Sequence, residues 1–160
     1  MLKSLHSVLI FAAAIGCGIV GGIFYAFSSF VMTALAKLPA GQGVAAMNSI
    51  SVAVLNPSFM TVFAGTGIVC LALSVQSIYL WSQPGSKLAL AASLVYLVGC
   101  FGVTAVLNVP LNDRLASLGD TAEAAAYWPH YLAAWNLWNH VRSVAGVSSA
   151  ALFIWAFRQR

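Results

Sequence analysis

The run Trp135-Asn136-Leu137-Trp138-Asn139-His140-Val141-Arg142 brings two amides, an imidazole and a guanidinium to the start of a stretch that is otherwise lipid-soluble. Ionisable groups at membrane depth are costly, and they face a bundle interior or a cavity and mark function more often than packing. The run therefore reads as one wall of a polar site. Other chemistries are harder to find. No acid falls within an apolar segment, so no Ser-His-acid arrangement is readable, and no glycine-rich phosphate loop follows a strand. His130 and His140 are ten residues apart, about 15 Å along one helix, and no cysteine or carboxylate joins them at ligand spacing, so no metal site is expected. Cys17, Cys70 and Cys100 are odd in number, lie inside apolar runs and read as packing residues.

The elements that position these groups must be membrane helices. The chain has 160 residues, 61% hydrophobic and only 6% charged, with a mean hydropathy of +0.92. A soluble domain carries about 25% charge, so lipid is the solvent this composition fits. The seven cations are scattered, form no basic stripe and exclude nucleic acid as a partner. The apolar run around Cys17 continues to Ala36, too long for a signal-peptide core of about 7–15 residues, and reads as an uncleaved helix.

Four segments reach the length of about 20 apolar residues that a bilayer core requires. They cover about 7–36, 58–81, 88–107 and 131–157. The expected fold is all-α: a single integral-membrane four-helix bundle, with an extra short helix in each of the two longer connections. Ser82-Gln83-Pro84-Gly85-Ser86-Lys87 makes helices two and three antiparallel neighbours. Asn56-Pro57 starts helix two, an amide cap before a first-turn proline. Pro110 is expected to end helix three. Asp120 and Glu123 have capping-box spacing, and Pro129 is expected to break the chain before helix four. Lys3, Lys87, Arg158 and Arg160 fall on one side, and Lys37 and Arg114 on the other with all three acids, which predicts cytoplasmic termini in the cell membrane. Gly16, Gly18, Gly21 and Gly22 permit close approach of a helix, from this chain or from a second copy in a homo-oligomer.

On this topology the polar residues converge. Asn56 opens helix two, Asn108 and Asn112 close helix three, and Asn136, Asn139, His140 and Arg142 open helix four, all at one membrane depth. Asn136, Asn139 and His140 follow i, i+3, i+4 spacing and share a face, with Arg142 beside it. In lipid such groups must find partners, so they are expected to point inward. Ser28, Phe24 and Tyr25 of helix one reach the same level.

Four pieces of the chain resemble the DUF1772 family of small four-helix membrane proteins, whose fungal relatives include anthrone oxygenases. They are Gly21-Gly22-Ile23-Phe24-Tyr25-Ala26-Phe27-Ser28-Ser29-Phe30, the 47–57 segment, Asn108-Val109-Pro110-Leu111-Asn112 and the 135–142 run. The resemblance implies an oxygenase acting on an activated aromatic ketone: loss of a methylene proton gives a delocalised anion that reacts with O₂. In that mechanism His140 is the base, Arg142 and Asn139 stabilise the oxyanion, and Asn108, Asn112, Asn56, Asn136 and Ser28 orient the substrate or the base. Phe24, Tyr25 and Trp138 supply apolar walls. No cofactor is predicted, and haem held by His140 is the alternative. Two other readings stay open. One is a module that binds a quinone, haem or other apolar or aromatic small molecule without turning it over. The other is an accessory membrane protein whose polar cluster only fixes helix packing.

Overall fold

The structure, a computed structural model, describes residues 2–159, and the side chains of 4–159. The described residues form helices and turns without a strand. Helix α1 runs over Leu2–Ala26, passes through a π-helical turn at Phe27–Val31 and continues as Met32–Ala36. Helix α2 is Ala40–Ala53 and α3 is Pro57–Tyr79. Helix α4 begins as Ser86–Val95, passes through π-helical stretches at Tyr96–Gly102 and Thr104–Asn108, and ends as Val109–Leu118. Helix α5 is Ala122–Arg158. All but α2 are long and apolar enough to cross a membrane, and their outward faces carry apolar side chains such as Phe11, Ile19, Ile68, Val98 and Val144. The chain is a multi-pass membrane protein. Arg160 lies outside the described residues, and of Lys3 only the backbone is described.

Two helices run further than the sequence predicts. Pro110 does not end α4. The N–H of Val109 bonds the Thr104 carbonyl five residues back, and the next residue, Pro110, has no N–H to give. The ladder therefore changes from i→i−5 to i→i−4 where a donor is missing, and the π turn absorbs the proline. Pro129 does not break α5 either. It lies two turns inside the helix on the exposed side, where the carbonyl it releases is not trapped. The second long connection is thus a three-residue turn through Gly119, whose φ is +61°, and its expected short helix is absorbed into α4 and α5. Thr121 rather than Asp120 caps α5, with its Oγ1 accepting from the Ala124 N–H at 3.2 Å. Glu123 pairs instead with Arg114 at 3.1 Å. The first long connection holds the expected helix, α2, whose Gly43 lies directly under the Trp128 ring.

Glycine sets how closely the helices approach. A Cβ on Gly21 would lie 2.9 Å from the Val147 backbone N, and one on Gly146 would lie 2.7 Å from the Gly21 Cα. Gly16 meets Thr66 of α3 in the same way. These glycines find their partners within the chain, whereas Gly18 and Gly22 face outward with nothing within 4 Å.

The interior is layered. One apolar core, built on Ile10, Val20, Phe63, Leu73, Tyr96 and Phe153, fills the half of the bundle that holds the termini. A second, built on Met32, Met47, Leu115, Trp128, Tyr131 and Trp135, fills the far half under α2. Between them lies a layer of polar side chains from α1, α4 and α5.

Candidate functional site

The buried stripe of α5 carries Trp128, Tyr131, Trp135, Asn139, Arg142, Gly146, Ser149 and Phe153. This spacing of three and four residues is that of an inward helical face. Asn139 and Arg142 are its polar members. Asn139 is fully buried. Its Nδ2 donates to the Phe24 carbonyl and to Ser28 Oγ, both at 2.8 Å, and its Oδ1 accepts from Arg142 Nη2 at 2.7 Å. Ser28 Oγ also lies 3.1 Å from Ser143 Oγ. Arg142 Nη1 donates to Thr104 Oγ1 at 3.3 Å, and the Thr104 hydroxyl donates onward to the Cys100 carbonyl at 2.7 Å.

The Arg142 guanidinium lies 4.2 Å from the centre of the Phe24 ring and 5.0 Å from that of Trp135. Arg142 is only 4% exposed and does not snorkel to the surface. It has no carboxylate: among the described residues the ion pair is Arg114 with Glu123, on the exterior. Its Nε is buried without a partner.

Order-of-magnitude terms give Arg142 little net stabilising role. A charge at the middle of a membrane helix costs about 2.5–3.5 kcal/mol on insertion scales. Two hydrogen bonds return about 0.6 kcal/mol each, and two ring contacts about 0.5–2 kcal/mol each. The balance is near zero, and a well-packed apolar side chain does as well.

The guanidinium borders a cavity of about 360 Å³ between α1, α2, α3, α4 and α5. Phe24, Phe27, Phe59, Phe63, Phe101 and Trp135 give it aromatic walls, and Met47, Ile50 and Met60 close it on the α2 side. Thr104, Asn108, Asn112 and Asp113 line it along α4. All three π-helical segments reach it, through Phe27, Phe101 and the Thr104–Asn108 turn. Such turns add a residue to the helical register and turn the following side chains around the axis.

Asn108 is buried; its Nδ2 donates to the Trp135 carbonyl at 3.3 Å and its Oδ1 has no partner. Asn112 Oδ1 accepts from Tyr131 Oη at 2.8 Å and from Trp135 Nε1 at 2.9 Å, which ties α4 to α5 at the upper wall.

The sequence reading thus brings together Arg142, Asn139, Asn108, Asn112, Phe24 and Ser28. The other candidates fall elsewhere. His140 is exposed on the outer side of α5 and does not line the cavity. At 100° per residue it stands roughly 140° from the centre of the buried stripe. A haem held by His140 would sit on the outside of the bundle. Tyr25 is 63% exposed. Asn136 and Trp138 are half-buried and lie outside the cavity lining. Asn56 is exposed and serves α3 as its cap, with Oδ1 accepting from the Phe59 N–H at 3.0 Å and Nδ2 donating to the Ala53 carbonyl at 2.8 Å. Among the described residues no group of three His, Cys, Asp or Glu side chains is arranged to hold a metal.

Among the lining residues that the sequence reading does not assign to the site are Thr104, Trp135 and Asp113. Thr104 stands four residues before Asn108 and eight before Asn112, a spacing that signals it. Trp135 belongs to the singled-out run, and its indole N–H is what orients Asn112. Asp113 follows Asn112 directly and reads as surface.

Two expectations follow. The His140→Gln variant is expected to stay within about 0.5 kcal/mol of wild-type stability, as for surface substitutions generally; detergent unfolding checks this. The Asn56→Ala variant is expected to lose about 1 kcal/mol of stability through the lost cap, read by detergent unfolding.

A family model described as Anthrone oxygenase matches residues 59–152. The match takes in the 108–112 and 135–142 pieces and leaves 21–30 and 47–57 outside. No curated protein and no solved structure matches the chain. A match over more than half of the sequence, taking in most of α3, all of α4 and α5 as far as residue 152, with Asn108, Asn112, Asn139 and Arg142 among the matched residues, places this chain in the anthrone oxygenase family.

Proposed function

We propose that the protein is a membrane oxygenase that converts the acidic methylene of an activated aromatic ketone to a carbonyl, with Arg142 as the group that holds the developing oxyanion. The observation that carries this reading is the guanidinium itself: desolvated, without a carboxylate, and laid between aromatic rings on the wall of an apolar cavity. A site built in this way is complementary to a flat ring system bearing one negative oxygen. Its donors are already oriented by Asn139 and Thr104, so they need no reorganisation when charge appears.

The chemistry balances without a further reductant. One methylene C–H bond breaks, its proton goes to a base, and the electron pair delocalises onto the carbonyl oxygen beside Arg142. The carbanionic carbon forms a bond to O₂, and protonation gives a hydroperoxide. Loss of the second hydrogen as a proton, with O–O cleavage, leaves a carbonyl and releases water. The methylene gives up four electrons, and O₂ takes four. Asn108, whose Oδ1 is buried and unpartnered, accepts a hydrogen bond from a hydroxyl on the ligand. The aromatic walls exclude water from the anion.

The sequence supports an orientation: Lys3, Lys87, Arg158 and Arg160 belong to one side and Lys37 and Arg114 to the other, an excess of four cations to two that by the positive-inside rule favours cytoplasmic termini and a cavity toward the outer leaflet.

Oxygen uptake by the protein in nanodiscs supplied with an anthrone tests the reading. The expected result is one O₂ consumed per ketone, above the spontaneous rate, with the quinone as product. Uptake no faster than with empty nanodiscs overturns it. A module that merely holds an apolar ligand in the same cavity would bind the quinone and show no such uptake.

A further inference from the structure

The oxygenase reading needs a base, and the cavity has one that neither the resemblance nor the sequence pattern assigns. We propose that Asp113 is the catalytic base that removes the methylene proton, an inference that rests on the oxygenase reading. The side chains lining the cavity include two that titrate, Arg142 and Asp113. A guanidinium stays protonated and cannot accept a proton. The two histidines of α5 are exposed, and neither lines the cavity. Of the other two acids, Glu123 is engaged by Arg114, and Asp120 does not line the cavity. Asp113 has no ion pair among the described residues, and it is exposed at the rim while Arg142 is buried inside.

The neighbouring contacts hold it there. Asn112 is fixed by Tyr131 and Trp135, which sets the rotation of α4 at this level, and the π turn at Thr104–Asn108 re-phases the helix before it. Arg142 meets α4 at Thr104. Asp113 stands nine residues further along, roughly 13 Å of α-helical rise and somewhat less through the π turn. A ligand that meets both groups has its carbonyl and its acidic carbon on opposite edges of a ring, conjugated through it. In the step, the C–H bond breaks toward the Asp113 carboxylate, which becomes the acid. The electron pair crosses the ring to the oxygen beside Arg142. The Asp113 proton then passes to water at the open rim, restoring the carboxylate.

Anaerobic exchange in D₂O reads this step without O₂. Wild-type protein in nanodiscs is expected to exchange the methylene hydrogens of an anthrone for deuterium faster than empty nanodiscs. Asp113→Asn is expected to lose at least about 100-fold of that enhancement, within the range for a general base, while its tryptophan fluorescence is still quenched by the product quinone at wild-type affinity. Asp113→Glu keeps part of the exchange and shows that the site remains folded. Exchange by Asp113→Asn at the wild-type rate overturns the assignment and leaves the oxygenase reading intact. Loss of quinone binding together with exchange also overturns it, because Asp113 would then be a binding group. A wild type that neither exchanges nor consumes O₂ overturns the oxygenase reading, and this one with it.

Discussion

Arg142→Leu is expected to fold as well as the wild type and to lose turnover by on the order of 10²–10³-fold, the scale on which a preorganised oxyanion donor acts. The two halves of this result depend on each other. Removing the guanidinium relieves the desolvation of a buried charge, and stability is expected to stay within about 1 kcal/mol because leucine fills the space beside Phe24 and Trp135. The oxyanion then has only neutral groups near it. Arg142→Lys separates charge from geometry. An ammonium keeps the charge but cannot reach Asn139 Oδ1 and Thr104 Oγ1 with the planar fork that now joins them, so an intermediate rate is expected. Oxygen uptake and detergent unfolding of the same preparations decide the matter. A leucine variant that unfolds makes Arg142 a packing residue, and one that turns over at the wild-type rate removes it from the site.

Gly146→Leu is expected to be the most destabilising single change in the bundle, at about 3 kcal/mol. The reason is backbone against backbone. A Cβ at Gly146 would meet the Cα of Gly21 at 2.7 Å and its N at 3.1 Å, and neither atom can rotate away, so α1 and α5 must separate. Gly146 also lies one turn beyond Arg142, and separation pulls the guanidinium off Phe24. Turnover should fall with stability. Gly22→Ala is the control: its Cβ enters open space, and alanine favours the helix. Unfolding of both variants in mixed micelles is the measurement. Equal stability would mean that α1 and α5 do not cross at these glycines.

The membrane class and the four spans were legible because composition and run length are read directly from the chain. Much of the site was legible for an equally physical reason. An amide or a guanidinium in an apolar helix must find partners, and Asn108, Asn112, Asn139 and Arg142 found them at one level. Rotation was harder to read. Asn136, Asn139 and His140 do share an arc, but the inward stripe of α5 is centred on Trp135, Arg142 and Gly146, leaving Asn139 at its edge and His140 outside. Only the neighbours decide which arc faces in. Asn56 is a local cap whose polarity is spent on its own backbone. The π turn at Pro110 depends on where a missing N–H falls in a hydrogen-bond ladder, and its consequence is a surface-reading aspartate turned to the cavity rim.

The layering has an evolutionary corollary. Because the apolar clusters on either side of the polar seam share no side chain, distant substitutions in the two should combine additively. Met47 and its neighbours on α2 can then drift, reshaping the roof of the chamber for new ligands, while the lower staves keep the chain seated in the bilayer.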